Sequence, residues 1–130
     1  MGVSGSSQTL ELNAFGFNIP SGATINGIVA RVERRKAGTA TIKDKVIRLI
    51  KAGSEVGDNK ADTATAWPAA DAFVTYGGAS DLWGGAPWTT GEINSSLFGV
   101  HIKVDKSDGS AFDITNAEVD SSDITVYYTP

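Results

Sequence analysis

The stretch Ile28–Glu33 reads IVARVE, and its side chains alternate between two kinds along the chain. Every second residue from Ile28 is apolar, whereas Arg31 and Glu33 fall in the set between them. Successive side chains of a β-strand point to opposite faces of the sheet, so a period of two predicts a strand with one buried face. The stretch therefore predicts a sheet that packs against a core on one side only.

Comparable runs occur on both sides of this stretch. Residues 100–105 read VHIKVD and residues 124–129 read ITVYYT, and both alternate in the same way. Residues 46–50 form a nearly continuous apolar run, VIRLI, which predicts a strand covered on both faces. Residues 10–19 also alternate, but the phase shifts by one residue beside Gly16, which predicts a bulge or a bend.

Turn signals separate these runs, at residues 20–22, 52–54 and 108–110. Short strands joined by turns, with little helix, are typical of antiparallel sheets. We therefore predict an all-β chain, an antiparallel β-sandwich of jelly-roll type with about seven to nine strands. An immunoglobulin-like sandwich is the alternative. The residues that we expect to form the core are Phe15, Phe17, Ile28, Val32, Leu49, Val100, Ile102 and Val126.

One helical signature stands out in the sequence. Thr89 and Glu92 have the spacing of a capping box, in which Thr89 is the N-cap and Glu92 the third helical residue. Gly91 lowers the helix propensity of the first turn. We therefore predict one short helix, of one or two turns, near residues 89–97.

Length and charge limit the class of protein. The chain has 130 residues, the usual size of one domain, and we predict a Gly/Ser-rich arm at residues 1–8 followed by a single domain at residues 9–130. The net charge of −4 argues against nucleic acid and anionic membranes as partners. The sequence has no cysteine, which excludes disulfides and thiol catalysis. We expect neither a signal peptide nor a membrane span.

All three tryptophans lie in the glycine-rich segment 67–88. Aromatic side chains bury much surface but need room, and glycines let the backbone turn or pass closely. The segment is therefore either a packed corner that locks two sheets together or a recognition surface on which sugar rings stack. We favour the packed corner, with Gly77, Gly78 and Gly84 setting its shape, some of them at positive φ. The candidate interface or ligand residues are Trp67, Tyr76, Trp83 and Trp88.

His101 is the single histidine, and it occupies an outward-alternating position of its predicted strand. We expect a solvated or interface side chain there rather than a general base, since no nucleophile-elbow motif accompanies it. We predict no catalytic residue, and no pair of carboxylates is singled out for glycoside hydrolysis.

Carboxylates cluster in three places, and loops of this kind can bind calcium. Aspartate and asparagine are also ordinary turn residues, because their side chains bond to the local backbone. We therefore predict no metal ligands and no cofactor, with a structural calcium as the alternative. The three groups are Asp58, Asn59 and Asp62; Asp105, Asp108 and Asp113; and Glu118, Asp120 and Asp123.

Five short motifs occur in a characteristic order. They are IPxGAxIxGI at residues 19–28, GDNKA at 57–61, WP at 67–68, YGGxxDLWG at 76–84 and FGV at 98–100. Together they resemble a β-sandwich domain of structural proteins of tailed bacteriophages and related prophages. The resemblance extends over nearly the whole chain.

The resemblance implies a non-enzymatic protein that is made in the host cytoplasm and assembled onto the virion. We expect a capsid decoration protein that stabilises the outer shell and binds it as a homo-oligomer, for example a trimer. Its partners would be phage capsid proteins, or tail proteins if it belongs to the tail. The alternative is a tail, fibre or cell-surface module that recognises glycan through segment 67–88.

Overall fold

The structure is a computed structural model, and it describes residues 2–4, 9–36, 41–106 and 117–130. Within these ranges it contains eight strands and one helix, so the predicted all-β class and strand number are confirmed. The elements are β1 (Gly2–Ser4), β2 (Thr9–Asn13), β3 (Thr24–Lys36), β4 (Ile42–Lys51), β5 (Ser54–Val56), β6 (Ala72–Gly78), α1 (Thr90–Asn94), β7 (Gly99–Lys106) and β8 (Ala117–Thr129).

The strands form two sheets in which every neighbouring pair is antiparallel. The large sheet has the order β1-β2-β7-β4-β5, and the small sheet has the order β6-β3-β8. Part of the predicted arm belongs to the large sheet, since β1 pairs with β2. The other residues of the arm, 1 and 5–8, lie outside the described ranges, as does the turn predicted at 108–110.

One hydrophobic core is shared by both sheets. In β3, Ile28, Ala30 and Val32 are buried while Arg31 is exposed, as the alternation predicts. Of the eight residues expected in the core, five are fully buried. The other three are partly buried and pack against the core, namely Phe15, Phe17 and Val126.

The chain bends where it leaves the large sheet for the small one. β2 ends at Asn13, and the next residues include Ala14 at φ 58° and Gly16 at φ 77°, which confirms the predicted bend. The crossing segment is tied to α1, because the backbone N–H of Ile19 donates to Asn94 Oδ1 over 2.8 Å and Asn94 Nδ2 donates back to the carbonyl of Ile19.

The predicted helix is confirmed as α1, with Thr89 as its N-cap. Thr89 Oγ1 accepts from the Glu92 N–H over 3.1 Å, and a Glu92 carboxylate oxygen accepts from the Thr89 N–H over 2.8 Å. α1 is the one helix in the described ranges, and its five residues are too few to cross a membrane.

Segment 67–88 is less of a loop than its glycines suggest. Residues 72–78 form β6, which pairs with β3 from Ile28 to Arg34. Sequence reasoning did not predict this strand, because its alternation is short and ends in two glycines. β6 places Tyr76 on the core side of the small sheet.

Candidate functional site

A buried acidic residue, Asp44 of β4, accepts hydrogen bonds from three side chains and one backbone N–H between the two sheets. Its Oδ1 accepts from Arg34 Nη1 over 2.6 Å and from Trp67 Nε1 over 2.8 Å. Its Oδ2 accepts from the Tyr76 hydroxyl over 2.6 Å and from the backbone N–H of Asp62 over 3.1 Å. We call Arg34, Asp44, Trp67 and Tyr76 the Asp44 cluster.

The alternation of side chains along β3 and β4 brings the residues of the Asp44 cluster together. Arg34 continues the inward set of β3 after Val32, and Asp44 lies on the inward side of β4. Arg34 also donates to the Tyr76 hydroxyl over 2.9 Å, and its guanidinium lies 5.1 Å from the Trp67 ring centre. A buried charge is tolerated when it is paired and hydrogen-bonded, and both conditions are met here.

The pKa of the Tyr76 hydroxyl is raised well above its ordinary value. Burial is the main cause, and the negative charge and hydrogen bond of Asp44 add to it, while Arg34 works against it. The phenol therefore remains protonated and acts as a donor to Asp44. These contacts make the cluster a polar crosslink between the sheets.

Trp83 anchors the second part of the segment. Its indole Nε1 donates to the carbonyl of Ile28 over 2.8 Å, and its backbone adopts φ 59°. Gly77 makes room for this contact, because a Cβ at Gly77 would lie 2.5 Å from the indole nitrogen. Gly77 and Gly84 have φ values of 87° and 68°, as expected for some of these glycines, whereas Gly78 does not have a positive φ.

The GDNKA motif holds the Trp83 loop in place. Asp58 N–H donates to the carbonyl of Trp83, and Gly57 passes so close that a Cβ there would lie 2.1 Å from that carbonyl oxygen. Lys60 Nζ contacts Asp81 Oδ2 at 2.6 Å. Burial opposes ionisation of Asp81, but hydrogen bonds from Lys60 and the Trp83 backbone outweigh it and lower the pKa of Asp81.

Asn59 fastens the same motif to β4. Its Oδ1 accepts from the Ile47 N–H over 2.9 Å, and its Nδ2 donates to the carbonyl of Lys45 over 3.0 Å. The backbone N–H of Lys60 donates to the carbonyl of Ile47 over 2.9 Å. The motifs at residues 57–61 and 76–84 thus interlock and connect the two sheets.

Trp88 completes the corner beside α1. Its indole packs edge-on against Phe98, with ring centres 5.5 Å apart, and its Nε1 donates to the carbonyl of Leu82 over 3.2 Å. Lys51 Nζ lies 4.4 Å from the Trp88 ring centre and donates to the carbonyls of Gly85 and Pro87. Lys51 thereby covers the Trp88 ring on the side that faces solvent.

The four candidate ligand residues are all buried, with exposed fractions between 0% and 6%. Each polar atom of their rings is bonded inside the protein. A sugar ring stacks on an exposed aromatic face, and none of the four side chains offers one. Of the two alternatives for segment 67–88, the burial favours the packed corner. The residues are Trp67, Tyr76, Trp83 and Trp88.

His101 lies on the outer side of the large sheet but is only 8% exposed, so it is covered rather than solvated. Its Nδ1 is 3.6 Å from Glu11 Oε1 and its Nε2 is 3.4 Å from Glu55 Oε1. Arg48 Nη1 also lies 3.6 Å from Glu55. The two glutamates shield the ring, and no hydroxyl nucleophile is positioned beside it among the contacts of the described residues.

The carboxylates act mainly in local bonds. Asp62 Oδ1 caps a turn by accepting from the N–H groups of Ala64 and Thr65. Asp105 lies 3.6 Å from Lys45. A hydrogen bond that protonated Asp120 donates to the Asp71 carboxylate raises the pKa of Asp120. Asp108 and Asp113 lie outside the described ranges, and within those ranges no group of three or more ligating side chains is placed to hold a metal ion.

The outer face of the small sheet presents exposed aromatic residues around an ion pair. Phe73 and Tyr127 are 48% and 43% exposed. Arg31 Nε donates to Asp123 Oδ1 over 3.0 Å, and the guanidinium lies 4.5 Å from the Phe73 ring centre. The hydrogen bond from Arg31 lowers the pKa of Asp123. Phenylalanine, tyrosine and arginine are enriched at protein interfaces, so this face has the composition of a docking surface.

Comparison with known proteins identifies no family for this chain. No protein-family model, curated protein or solved structure matches the chain. The site is therefore interpreted from its own residues.

Sequence reasoning missed the centre of the buried network. The sequence patterns single out neither Arg34 nor Asp44. A signal was present, because Arg34 falls two residues after Val32 in the inward phase of the same strand. A charged residue at an inward position needs a buried partner, and Asp44 is that partner.

Proposed function

We propose that this chain is a non-enzymatic structural protein of a tailed-bacteriophage virion, which decorates the capsid by binding its outer shell as an oligomer. The observation that carries the proposal is the interlock between the GDNKA and YGGxxDLWG motifs. Two of the motifs that resemble those of virion proteins, GDNKA and YGGxxDLWG, thus contribute contacts that hold the two sheets together. The resemblance therefore concerns the framework of the domain, and not one isolated loop.

The proposed body is a jelly roll. Strands pair as β2 with β7, β3 with β6 and β4 with β5, so that the two numbers in each pair add to nine. That nested pairing is how an eight-stranded jelly roll winds, and viral capsid proteins use this architecture. β1 departs from the pattern, because it pairs with β2 instead of β8.

In this proposal the outer face of the small sheet contacts the shell. Its exposed Phe73 and Tyr127 would be buried against the capsid protein, and Arg31 would contribute a polar contact at their centre. Binding to the assembled shell alone would stabilise the particle by mass action. This proposed role depends on binding alone and involves no catalysis.

The test uses particles assembled without this protein. Purified protein added to such shells should cosediment with them and raise the temperature at which they break open. The Phe73→Asp variant should lose cosedimentation, whereas Leu97→Asp, which changes a similarly exposed apolar residue away from this face, should retain it. Failure of the unchanged protein to bind shells would contradict the proposal, and equal loss by both variants would contradict the assigned face.

A further inference from the structure

The long strand β8 has one paired edge and one open edge. On its paired side it follows β3 from Thr24↔Thr129 to Lys36↔Ala117. In the part of the chain that the structure describes, no strand pairs with its other side. The jelly-roll pairing would place a first strand there, but β1 lies at the far edge of the large sheet.

The other sheet edges in the described ranges are short or interrupted. β1 and β5 have three residues each, and β6 has seven and ends in glycines. Native proteins commonly protect an edge with a short strand, a proline, a charged side chain or a bulge. From residue 124 to residue 129, β8 has no proline, no charged residue and no extra residue in its pairing. Its open edge is therefore an available template for another strand.

We propose that β8 of one copy pairs antiparallel with β8 of a second copy, about a two-fold axis at Thr125. The two small sheets would then form one continuous six-stranded sheet, with the order β6-β3-β8 repeated in reverse. A two-fold contact uses the same surface on both copies and closes at a dimer. This inference goes beyond the proposed function and does not rest on it.

The geometry of β8 sets the register. The pairing of β8 with β3 has a β-bulge at Asp120. Glu33 pairs with Ser121 and Arg34 pairs with Val119, so Asp120 is an extra residue of β8 between these two pairs. Beyond this bulge β8 runs without an extra residue from 121 to 129, and Thr125 is the centre of that stretch. A centred register pairs the largest number of backbone groups across the open edge.

Charge favours the antiparallel arrangement. The acidic residues of β8 all precede Thr125, at 118, 120 and 123. Antiparallel pairing about Thr125 puts Asp123 opposite Tyr127 and Ile124 opposite Val126, so that no acid faces an acid. An in-register parallel pair would stack each acid on its copy, which is unfavourable. The exposed Tyr127 and Tyr128 would also gain cover from the second copy.

A single-cysteine crosslink tests the register, because the natural sequence contains no cysteine. Residues opposite each other in an antiparallel pair have Cα atoms about 4.5–5.5 Å apart, within reach of a disulfide. Thr125→Cys should therefore give a disulfide-linked dimer under mild oxidation. Thr75→Cys, an exposed threonine on β6, should not. Tyr127→Cys should not either, because its two copies would be four positions apart, about 13 Å.

Mass measurement tests the association itself. The unchanged protein, 13.5 kDa per chain, should sediment as a dimer at high concentration. Thr125→Lys places two positive charges at the axis and should raise the dissociation constant by about tenfold or more, with unchanged circular dichroism. Thr75→Lys should leave the dimer intact. A protein that stays monomeric at hundreds of micromolar, or a Thr125→Lys variant that dimerises normally, would overturn the inference.

Discussion

Arg34 and Asp44 form an ion pair with an Nη1–Oδ1 distance of 2.6 Å, and their side chains are 6% and 0% exposed. Arg34 belongs to the small sheet and Asp44 to the large one, so the pair connects the two sheets through the core. Trp67 and Tyr76 bond to the same carboxylate. The sandwich is therefore held by a polar crosslink as well as by apolar packing.

Removing the Asp44 charge should strongly destabilise the fold. Asp44→Asn leaves the Arg34 guanidinium buried without its counter-ion, and breaking a buried pair in this way typically costs about 3–5 kcal/mol. Urea unfolding followed by circular dichroism measures the loss. Asp123→Ala, which breaks the exposed pair with Arg31, is the control and should cost a small fraction of this. Equal losses for the two variants would argue against the crosslink.

Tyr76 should make stability fall at alkaline pH. Burial, and then Asp44, raise its pKa in the folded protein above the ordinary value of about 10. The folded state then keeps a proton that the unfolded chain releases, so the contribution is complete below pH 10 and is lost as the pH rises further. Tyr76→Phe should cost about 1–2 kcal/mol at pH 8, and its deficit relative to the unchanged protein should shrink above pH 10. A deficit that is constant from pH 8 to 11 would contradict this reading.

Gly57 should tolerate no side chain. Its φ of 76° is unfavourable for alanine, and the added Cβ would meet the carbonyl oxygen of Trp83 at 2.1 Å. Gly22 is a matched control, since it has φ 86° but nothing within 4 Å of an added Cβ. We expect Gly22→Ala to cost about 1–2 kcal/mol and Gly57→Ala about 3 kcal/mol or more, in urea unfolding. Equal losses of stability for the two variants would show that the Trp83 loop moves to accommodate the added methyl group.

The buried tryptophans should be protected from solvent quenchers. Trp67, Trp83 and Trp88 expose at most 6% of their surface, so iodide should quench native fluorescence severalfold less than fluorescence in urea. The same experiment tests the glycan alternative for segment 67–88. Strong native quenching that a bound polysaccharide relieves would favour a recognition surface over a packed corner.

Local patterns predicted the features that depend on near neighbours. Alternation located β3, and the spacing of Thr89 and Glu92 located α1. β8 proved longer than the predicted run at 124–129, because the polar residues 121–123 pair regularly with β3. No local pattern marks such residues as a strand. Their partner strand, nearly ninety positions away, determines their conformation.

Sheet order and the Asp44 cluster could not be predicted in the same way. Both depend on residues distant in sequence, such as Arg34 with Tyr76. The burial of Trp83 likewise depends on a gap at Gly77 and on the position of the Ile28 carbonyl. The composition of segment 67–88 left two alternatives open, and the three-dimensional contacts favour one of them.

Cryo-electron microscopy of the assembled particle tests the central claim most directly. We predict density for this two-sheet domain on the outer surface of the capsid, with the outer face of the small sheet, around Phe73 and Arg31, turned toward the shell. Density for the chain on the tail and none on the capsid would contradict the proposed function.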